Sequence, residues 1–352
     1  MRSTFSGLNT VVRGLYANQL SLDTVGHNVT NAGTDGYSRQ QVGLSASRPE
    51  NIYGGAGILQ VGTGVTIDSV TRARDEFLDQ RYWKENASLG YGNSINDYLG
   101  KVEGVFAEPT ETGIQTVLDK FWQAIQTVGA NPSDVGGRTA LRQRGVELVD
   151  AIKHAETQLT DLVGDMNSVL DIKVDKINQI TSEMLALNKQ IVSVEVNGST
   201  ANDLRDRRDN LVDQLSTLAK VSVYEDKAGN YIVQLPGVML VNGERTTKLR
   251  TEADPADPTY TEYGLEIRKV LTDETPTQAV SFASGEIGGL LEARDSDVQG
   301  ILAYLDKLND LARTLLTDFN QVHKEGYGLD NSTGVNFFGD GATSYTDANG
   351  AV

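Results

Sequence analysis

Apolar residues recur at 3,4 spacing from the start of the chain, at Phe5, Leu8, Val12, Leu15, Leu22 and Val29, with Gln19 and Gly26 as the interruptions. This spacing predicts an amphipathic helix beginning almost at Met1. The helix then dissolves into Asn, Gly, Thr and Asp. There Asn28 and Asn31 can cap the last carbonyls, Gly33 and Gly36 tolerate φ > 0, and Tyr37 offers a rigid anchor after the turn. Beyond it the period falls to two at Val42, Leu44 and Ala46, and again at Val65 and Ile67. A connector with Gly54, Gly55, Gly57, Gly62 and Gly64 lies between them, and the whole reads as a flexible β-ribbon. Helical spacing resumes at 75–83, 94–107 and 113–128, with Pro109 separating the last two.

The longest helical signal starts at Arg138, and from 163 to 194 it forms a heptad seam. Its positions are Val163, Met166, Leu170, Lys173, Ile177, Ile180, Met184, Leu187, Ile191 and Val194, with Lys173 the sole polar member. Asn197, Gly198 and Ser199 break it. Thr200 with Asp203 has the pattern of a capping box, and Leu204, Leu211, Leu215 and Leu218 form a shorter stripe suited to folding back as an antiparallel hairpin. Between Val221 and Phe282 the period is again two, at Val221, Val223, Ile232 and Leu235, among turns marked by Gly229, Gly237, Gly243, Pro255, Pro258 and Pro276. A last 3,4 stripe runs through Ile287, Leu291, Val298, Ile301, Leu305, Leu308, Ala312, Leu315, Phe319 and Val322, with Arg294 the one charged intrusion. It predicts one helix of about 35 residues, roughly 50 Å long, lying along the earlier coiled coil.

These periods predict a mainly α chain, a long coiled-coil helical bundle with a small inserted β-rich domain. The expected divisions are 1–40, an N-terminal helix and turn, which the resemblance given below makes an assembly element, and 41–220, the β-ribbon and first part of the helical domain. The β insertion at 221–284, a return helix at 285–326 and the start of a further segment at 327–352 follow.

Composition narrows the function. In 352 residues, 31 basic side chains face 48 acidic ones, a net charge of -17. That argues against nucleic acid or an anionic membrane as partner, since phosphate binding needs clustered Lys and Arg. With no Cys, disulfides and thiolate metal sites are excluded. No apolar run approaches a membrane span, and Arg2 is followed by no hydrophobic segment of the kind a cleavable secretory signal needs.

Enzyme chemistry is not visible. His27, His154 and His323 lack metal-ligand spacing and read as surface or capping residues. The glycines at 54–64 lack the order of a phosphate loop, and the carboxylates at 330–341 lack the order of a calcium loop. The alternating run Asp203-Leu-Arg-Asp-Arg-Arg-Asp209 reads as a solvated helix face with an Asp203–Arg207 pair. The expectation is a chain with no catalytic, cofactor or metal residues.

Ala17-Asn18, then Asn28-x-x-Asn31, then Thr34-x-Gly36-Tyr37, with Arg39 two residues on, resembles the N-terminal signature of the bacterial flagellar rod, hook and hook-associated proteins. Further segments resemble the branch of that family at the hook–filament junction. These are 72–83, 203–218 with its Asp-Leu-Arg-Asp-x-Arg-Asp, 285–295, and 305–338 with Phe319-Asn320-x-x-His323 and Gly334-Val335-Asn336-Phe337-Phe338.

The resemblance implies a flagellin-like, hook-associated architecture and a structural motility protein. Such a protein leaves the cell by flagellar type III export without a cleavable signal peptide and forms an extracellular junction ring needed for filament assembly. It also implies the partners: further copies of itself, the hook protein, a second junction protein and an export chaperone. For the assembly interface it points to Phe5, Leu8, Val12, Leu15, Leu22, Asn28, Val29, Asn31, Thr34, Gly36, Tyr37 and Arg39. Family members close with a second long C-terminal helix that pairs with the first, and this sequence ends before one. The expectation is therefore a part of a longer protein, with the stripe at 5–29 missing its partner. Two readings compete: another axial component, hook or distal rod, and a secreted coiled-coil adhesin binding through the β insertion.

Overall fold

The computed structural model describes residues 5–54, 57–106, 113–243, 245–253 and 263–339. Gly55, Pro109, Pro255, Pro258 and the end of the 330–341 run lie outside them. The described chain is largely helical with a few small antiparallel sheets. It divides into two compact units, Met1–Asn86 with Ile177–Lys248, and Ala87–Lys176 with Leu249–Val352.

In the first unit, α1 (Ser6–Thr30) packs on a ribbon of β1 (Gln40–Ala46) and β4 (Val65–Arg72), which pair antiparallel with a register shift at Gly43/Leu44. The glycine connector is not a loose link. It folds into a hairpin of β2 (Glu50–Gly54) and β3 (Gly57–Val61), in which Ile52 lies opposite Leu59 and Tyr53 opposite Ile58.

The spacing predicts two runs at 75–83 and 94–107, whereas α2 (Glu76–Phe106) is one continuous helix; α3 spans Ile114–Ala130. Helix α4 (Val135–Glu195) runs for 61 residues and ends before Gly198, whose φ is 78°. Helix α5 (Asn202–Leu218) follows, then a three-stranded sheet of β5 (Ser222–Glu225), β6 (Tyr231–Leu235) and β7 (Val238–Asn242). The expected capping box does not form: Thr200 Oγ1 instead donates to the carbonyl of Val70 at 3.0 Å.

The burial of α4 refines the heptad seam. Val163, Met166, Leu170, Ile177, Ile180, Met184, Leu187 and Ile191 are buried as read, and the same stripe extends back through Leu159, Ala155, Ile152 and Leu148. At Lys173 the expectation fails, because Val174 takes the buried place. A helix of 3.6 residues per turn drifts from a strict heptad, and a step of four from Leu170 restores an apolar residue to the stripe. Lys173 instead reaches Glu286 with Nζ–Oε2 at 2.5 Å. Val194 is 40% exposed, so the seam ends at Ile191.

The second unit holds the hairpin of β8 (Leu249–Ala253) and β9 (Arg268–Thr272). The predicted long return helix is broken there. It divides into α6 (Gly285–Asp295), α7 (Ile301–Thr314), a π-helical turn at Leu315–Phe319 and α8 (Asn320–Lys324). Ser296, Asp297 and Gly300 interrupt it, since short polar side chains and glycine favour turns over helix interiors. A Cβ on Gly300 would fall 2.5 Å from the carbonyl oxygen of Ser296. Val298, read as a seam position, is 68% exposed in this break.

Arg294 is no intrusion. Its buried guanidinium donates to Asn167 Oδ1 at 2.8 Å, to the Arg268 carbonyl at 3.0 Å and to both oxygens of Asp295. Val117, Phe121, Leu148, Ile152, Leu315 and Phe338 form one core cluster of this unit. Asn320 ties the chain back to it, accepting the amides of Phe337 and Phe338 at 2.9 Å and donating to the Phe338 carbonyl at 2.7 Å.

Candidate assembly site

The signature turn is built from the end of α1 outward. Asn31 Nδ2 donates to the His27 carbonyl at 3.0 Å, the capping role expected of it. Thr34 N donates to the Asn31 carbonyl and Tyr37 N to that of Thr34, while Thr34 Oγ1 donates to Asn31 Oδ1 at 3.2 Å. Gly36 adopts φ 76°, and a Cβ there would lie 2.6 Å from the Asn210 side chain. Gly33 is not among the residues with positive φ, so only one of the two glycines is needed for backbone conformation.

Asn28 does not cap the helix. Its Oδ1 accepts the Tyr37 hydroxyl at 2.7 Å and the Gln40 amide at 2.8 Å, and its Nδ2 donates to the Gln40 carbonyl at 2.9 Å. The side-chain amide thus imitates a strand partner and fixes where β1 begins. The His27 ring meets the Tyr37 ring edge-on at 5.5 Å. Thr34 and Arg39 have exposed side chains; the carbonyl of Arg39 accepts the Ala73 amide at 2.8 Å.

Helix α5 receives this turn. Asp203, Asp206, Asp209 and Asp213 recur at 3,3,4 spacing along it, and each carries a distinct load. Asp203 Oδ1 accepts Gln40 Nε2 at 2.7 Å and lies 3.3 Å from His27 Nε2. Asp206 Oδ2 accepts the Ser38 amide at 2.9 Å, and its Oδ1 takes Arg72 Nη1 at 2.8 Å. Asp209 accepts Arg72 Nη1 at 2.6 Å and the Tyr231 hydroxyl at 2.7 Å, with Arg74 Nε at 3.4 Å. Asp213 accepts Trp83 Nε1 at 2.6 Å.

On the other side, Arg205 pairs with Glu195 and Glu225, and Arg208 bonds Asn188 Oδ1 and the Gly229 carbonyl while stacking 3.5 Å over the Tyr231 ring. Much of the charged run is therefore an interior network and not a solvated face, with Asp206 5%, Arg208 0% and Asp209 1% exposed, while Asp203 and Arg207 stay at the surface. The expected Asp203–Arg207 pair is also absent from the contacts described, Arg207 reaching Glu183 at 3.3 Å. Alternating charge on a helix looks alike in both cases. No local signal separated them, because Arg72 and Arg74 are followed at once by Asp75, Glu76 and Asp79 and give no sign that their partners lie on α5.

Electrostatics follow from this packing. Burial disfavours charge on Arg72 and Arg74, but Asp209 and the other carboxylates more than compensate, and both stay above the ordinary arginine value. Burial raises Asp213, against the opposing Trp83 hydrogen bond and Arg74 charge. It also raises the Tyr37 phenol, helped by Asp203 and Asp206. The hydrogen bonds from Arg205 hold Glu195 below its usual value. Among the described residues no cluster of His, Asp and Glu could hold a metal ion. The arrangement holds backbone segments in register.

The apolar stripe of α1 lies apart from this network. Leu22, Val29, Phe5, Leu15 and Leu8 are 59–72% exposed, and Val12 is half-buried. The residues of α1 that are buried are Ala17 and Thr24. Val11, Tyr16 and Val25, outside the 3,4 stripe, are also exposed and widen it. Their spacing from Leu8, Val12 and Leu22 was the available signal.

Residues 99–338 match the family model described as the flagellar hook-associated protein FlgK helical domain. The chain belongs to the FlgK family. The flagellar hook-associated protein 1 of Bacillus subtilis is 32% identical over 96% of this chain and 71% of its own length. That of Salmonella typhimurium is 29% identical over 98% of this chain and 61% of its own. The solved structure of the flagellar hook junction protein FlgK from Burkholderia pseudomallei superposes with a TM-score of 0.63 at 27% identity. It covers 73% of this chain and 46% of that one. The signature turn lies before the matched FlgK domain, so its reading rests on the geometry above. No described helix is long and apolar enough to cross a membrane.

Proposed function

We propose that this chain is a structural subunit of the flagellar hook–filament junction, where copies pack side by side in a ring or helix and permit the filament to assemble. The observation that carries the reading is the contrast within α1: Ala17 and Thr24 are buried, while Phe5, Leu8, Leu15, Leu22 and Val29 are left in contact with solvent. So broad an apolar stripe marks an association surface. Phe5, Leu8, Val12, Leu15, Leu22 and Val29 supply packing area, and Asn28, Asn31, Thr34, Gly36, Tyr37 and Arg39 form the turn that aims them.

The heptad spacing of α4 and its buried stripe support a coiled-coil bundle as the rigid body of each subunit. The partners that fit are further copies of this chain, the hook protein, a second junction protein and, before export, a chaperone. The location that fits is extracellular, in the flagellum, and the work is structural and not catalytic. The domain divisions read from the sequence are proposed as the organising pieces of that subunit.

Deleting the gene tests the reading. Hooks without filaments, with flagellin lost to the medium, support the junction role; absent hooks move the chain to the hook or rod, and normal filaments overturn it. Tyr37→Ala should impair incorporation without unfolding the long helices, and normal junctions built from that variant would refute the turn's role.

A further inference from the structure

We infer that α5 is the template that seats the signature turn, with Asp203 and Asp206 as positioning residues for the assembly surface of α1. The inference rests on the reading above and adds the element that controls the turn. Three independent contacts converge on one face of α5. Asp206 takes the backbone amide of Ser38 at 2.9 Å, Asp203 takes Gln40 Nε2 at 2.7 Å and faces His27 at 3.3 Å, and the Asn210 side chain fills the space that any Cβ on Gly36 would need. Spaced by three and four residues, these side chains form one stripe along the helix.

Asp206 has a second role that makes the seating specific. Its other oxygen is held by Arg72 Nη1, and the same nitrogen is held by Asp209. The carboxylate can therefore rotate little, and the oxygen facing Ser38 is presented in one place. A charge-assisted bond from a buried carboxylate to a backbone amide is stronger and more directional than a neutral one. Asn28 then carries the same register inward, since its side chain bonds both the Tyr37 hydroxyl and the two polar groups of Gln40. Shifting the turn on α5 would shift the start of β1 and the end of α1 together. The hairpin of α4 and α5 thereby sets the direction in which the apolar stripe points.

The test is amide hydrogen exchange on the intact chain, with junction incorporation measured in parallel. In Asp206→Ala the Ser38 amide should exchange about tenfold faster, the effect of losing one charge-assisted hydrogen bond. In Asp206→Asn, which keeps a carbonyl acceptor, protection of Ser38 should return even though Arg72 loses a partner. A purely structural role for Asp206 predicts the opposite, both variants loosening α5 alike. Because Asp206 is buried, Asp203→Ala serves as the second variant at an exposed site. It should loosen the Gln40 side chain and His27 while the α4 amides keep their protection.

Unchanged exchange at Ser38 in Asp206→Ala, with α4 and α5 intact, overturns the inference. Loosened turns that still build normal junctions would leave the seating in place and overturn the proposed assembly role of the turn. Loosened turns with defective junctions support both.

Discussion

Helices α1 and α4 carry the same kind of message in sequence, apolar residues at 3,4 spacing, and meet opposite fates. Along α4 the stripe from Leu148 to Ile191 is buried, with Leu159, Val163, Met166, Leu170, Ile177, Met184 and Ile191 all 0% exposed. Along α1 the stripe faces water while Ala17 and Thr24 are buried. Periodicity specifies a helix and the face that needs covering; it does not say whether the cover comes from the same fold or from an assembly partner.

The sharpest way to break the comparison is to truncate both stripes. Leu170→Ala should cost about 2–5 kcal/mol, the lost burial plus the cavity left when a fully buried side chain is truncated. Leu15→Ala or Leu22→Ala should change stability by about 0.5 kcal/mol or less and yet reduce incorporation into junctions. Thermal or denaturant unfolding beside an assembly assay measures both. Equal losses of stability would show that the α1 stripe is packed in solution.

The network on α5 predicts a loss of similar size. Asp209→Ala strips Arg72, Arg74 and Tyr231 of their shared acceptor and should destabilise by about 3–5 kcal/mol, the cost of leaving buried charge unpaired. A denaturant midpoint close to that of the unaltered chain would return the charged run to the status of a solvated face.

A smaller effect is expected at the turn. Gly36→Ala should cost about 1–2 kcal/mol for the left-handed backbone alone and also push Asn210 aside. Tyr37→Phe, which removes only the hydroxyl donated to Asn28, should cost about 1 kcal/mol. Urea titration orders them; a Gly36→Ala variant as stable as the parent would mean the turn can reseat.

Acidity gives the smallest effect. Glu195 titrates below its ordinary value because of Arg205, so its folded form favours the charged state. Its contribution is fully present above the unfolded glutamate pKa and is lost as pH falls through the lower folded value. Glu195→Gln should flatten that acid limb of stability, read as melting temperature against pH. A limb of unchanged slope would assign the acid sensitivity to other carboxylates.

Much of this was legible in the residues. The α1 helix, the ribbon, the hairpin of α4 and α5, and the clustering of Asn28, Asn31, Gly36 and Tyr37 in one turn follow from spacing and turn chemistry. Two kinds of feature were not. The break at 296–300 lay inside a sustained 3,4 pattern, which counts apolar positions and is blind to the local preference of Ser296, Asp297 and Gly300. The interior charges of α5 were hidden because their partners, Arg72, Arg74, Trp83 and Tyr231, come from remote segments.

By itself, then, the sequence determined that α1, α4 and α5 are helical, where α1 and α4 end, which face of each is apolar, and that no Cys chemistry is available; these depend on period and residue type over a few turns. Only the tertiary structure decided that Asn28 serves β1 and does not cap α1, that Val174 displaces Lys173 from the seam, and that Asp206, Arg208 and Asp209 are buried. Each of those outcomes depends on which distant group arrives to share or replace water, and that is a property of packing in three dimensions.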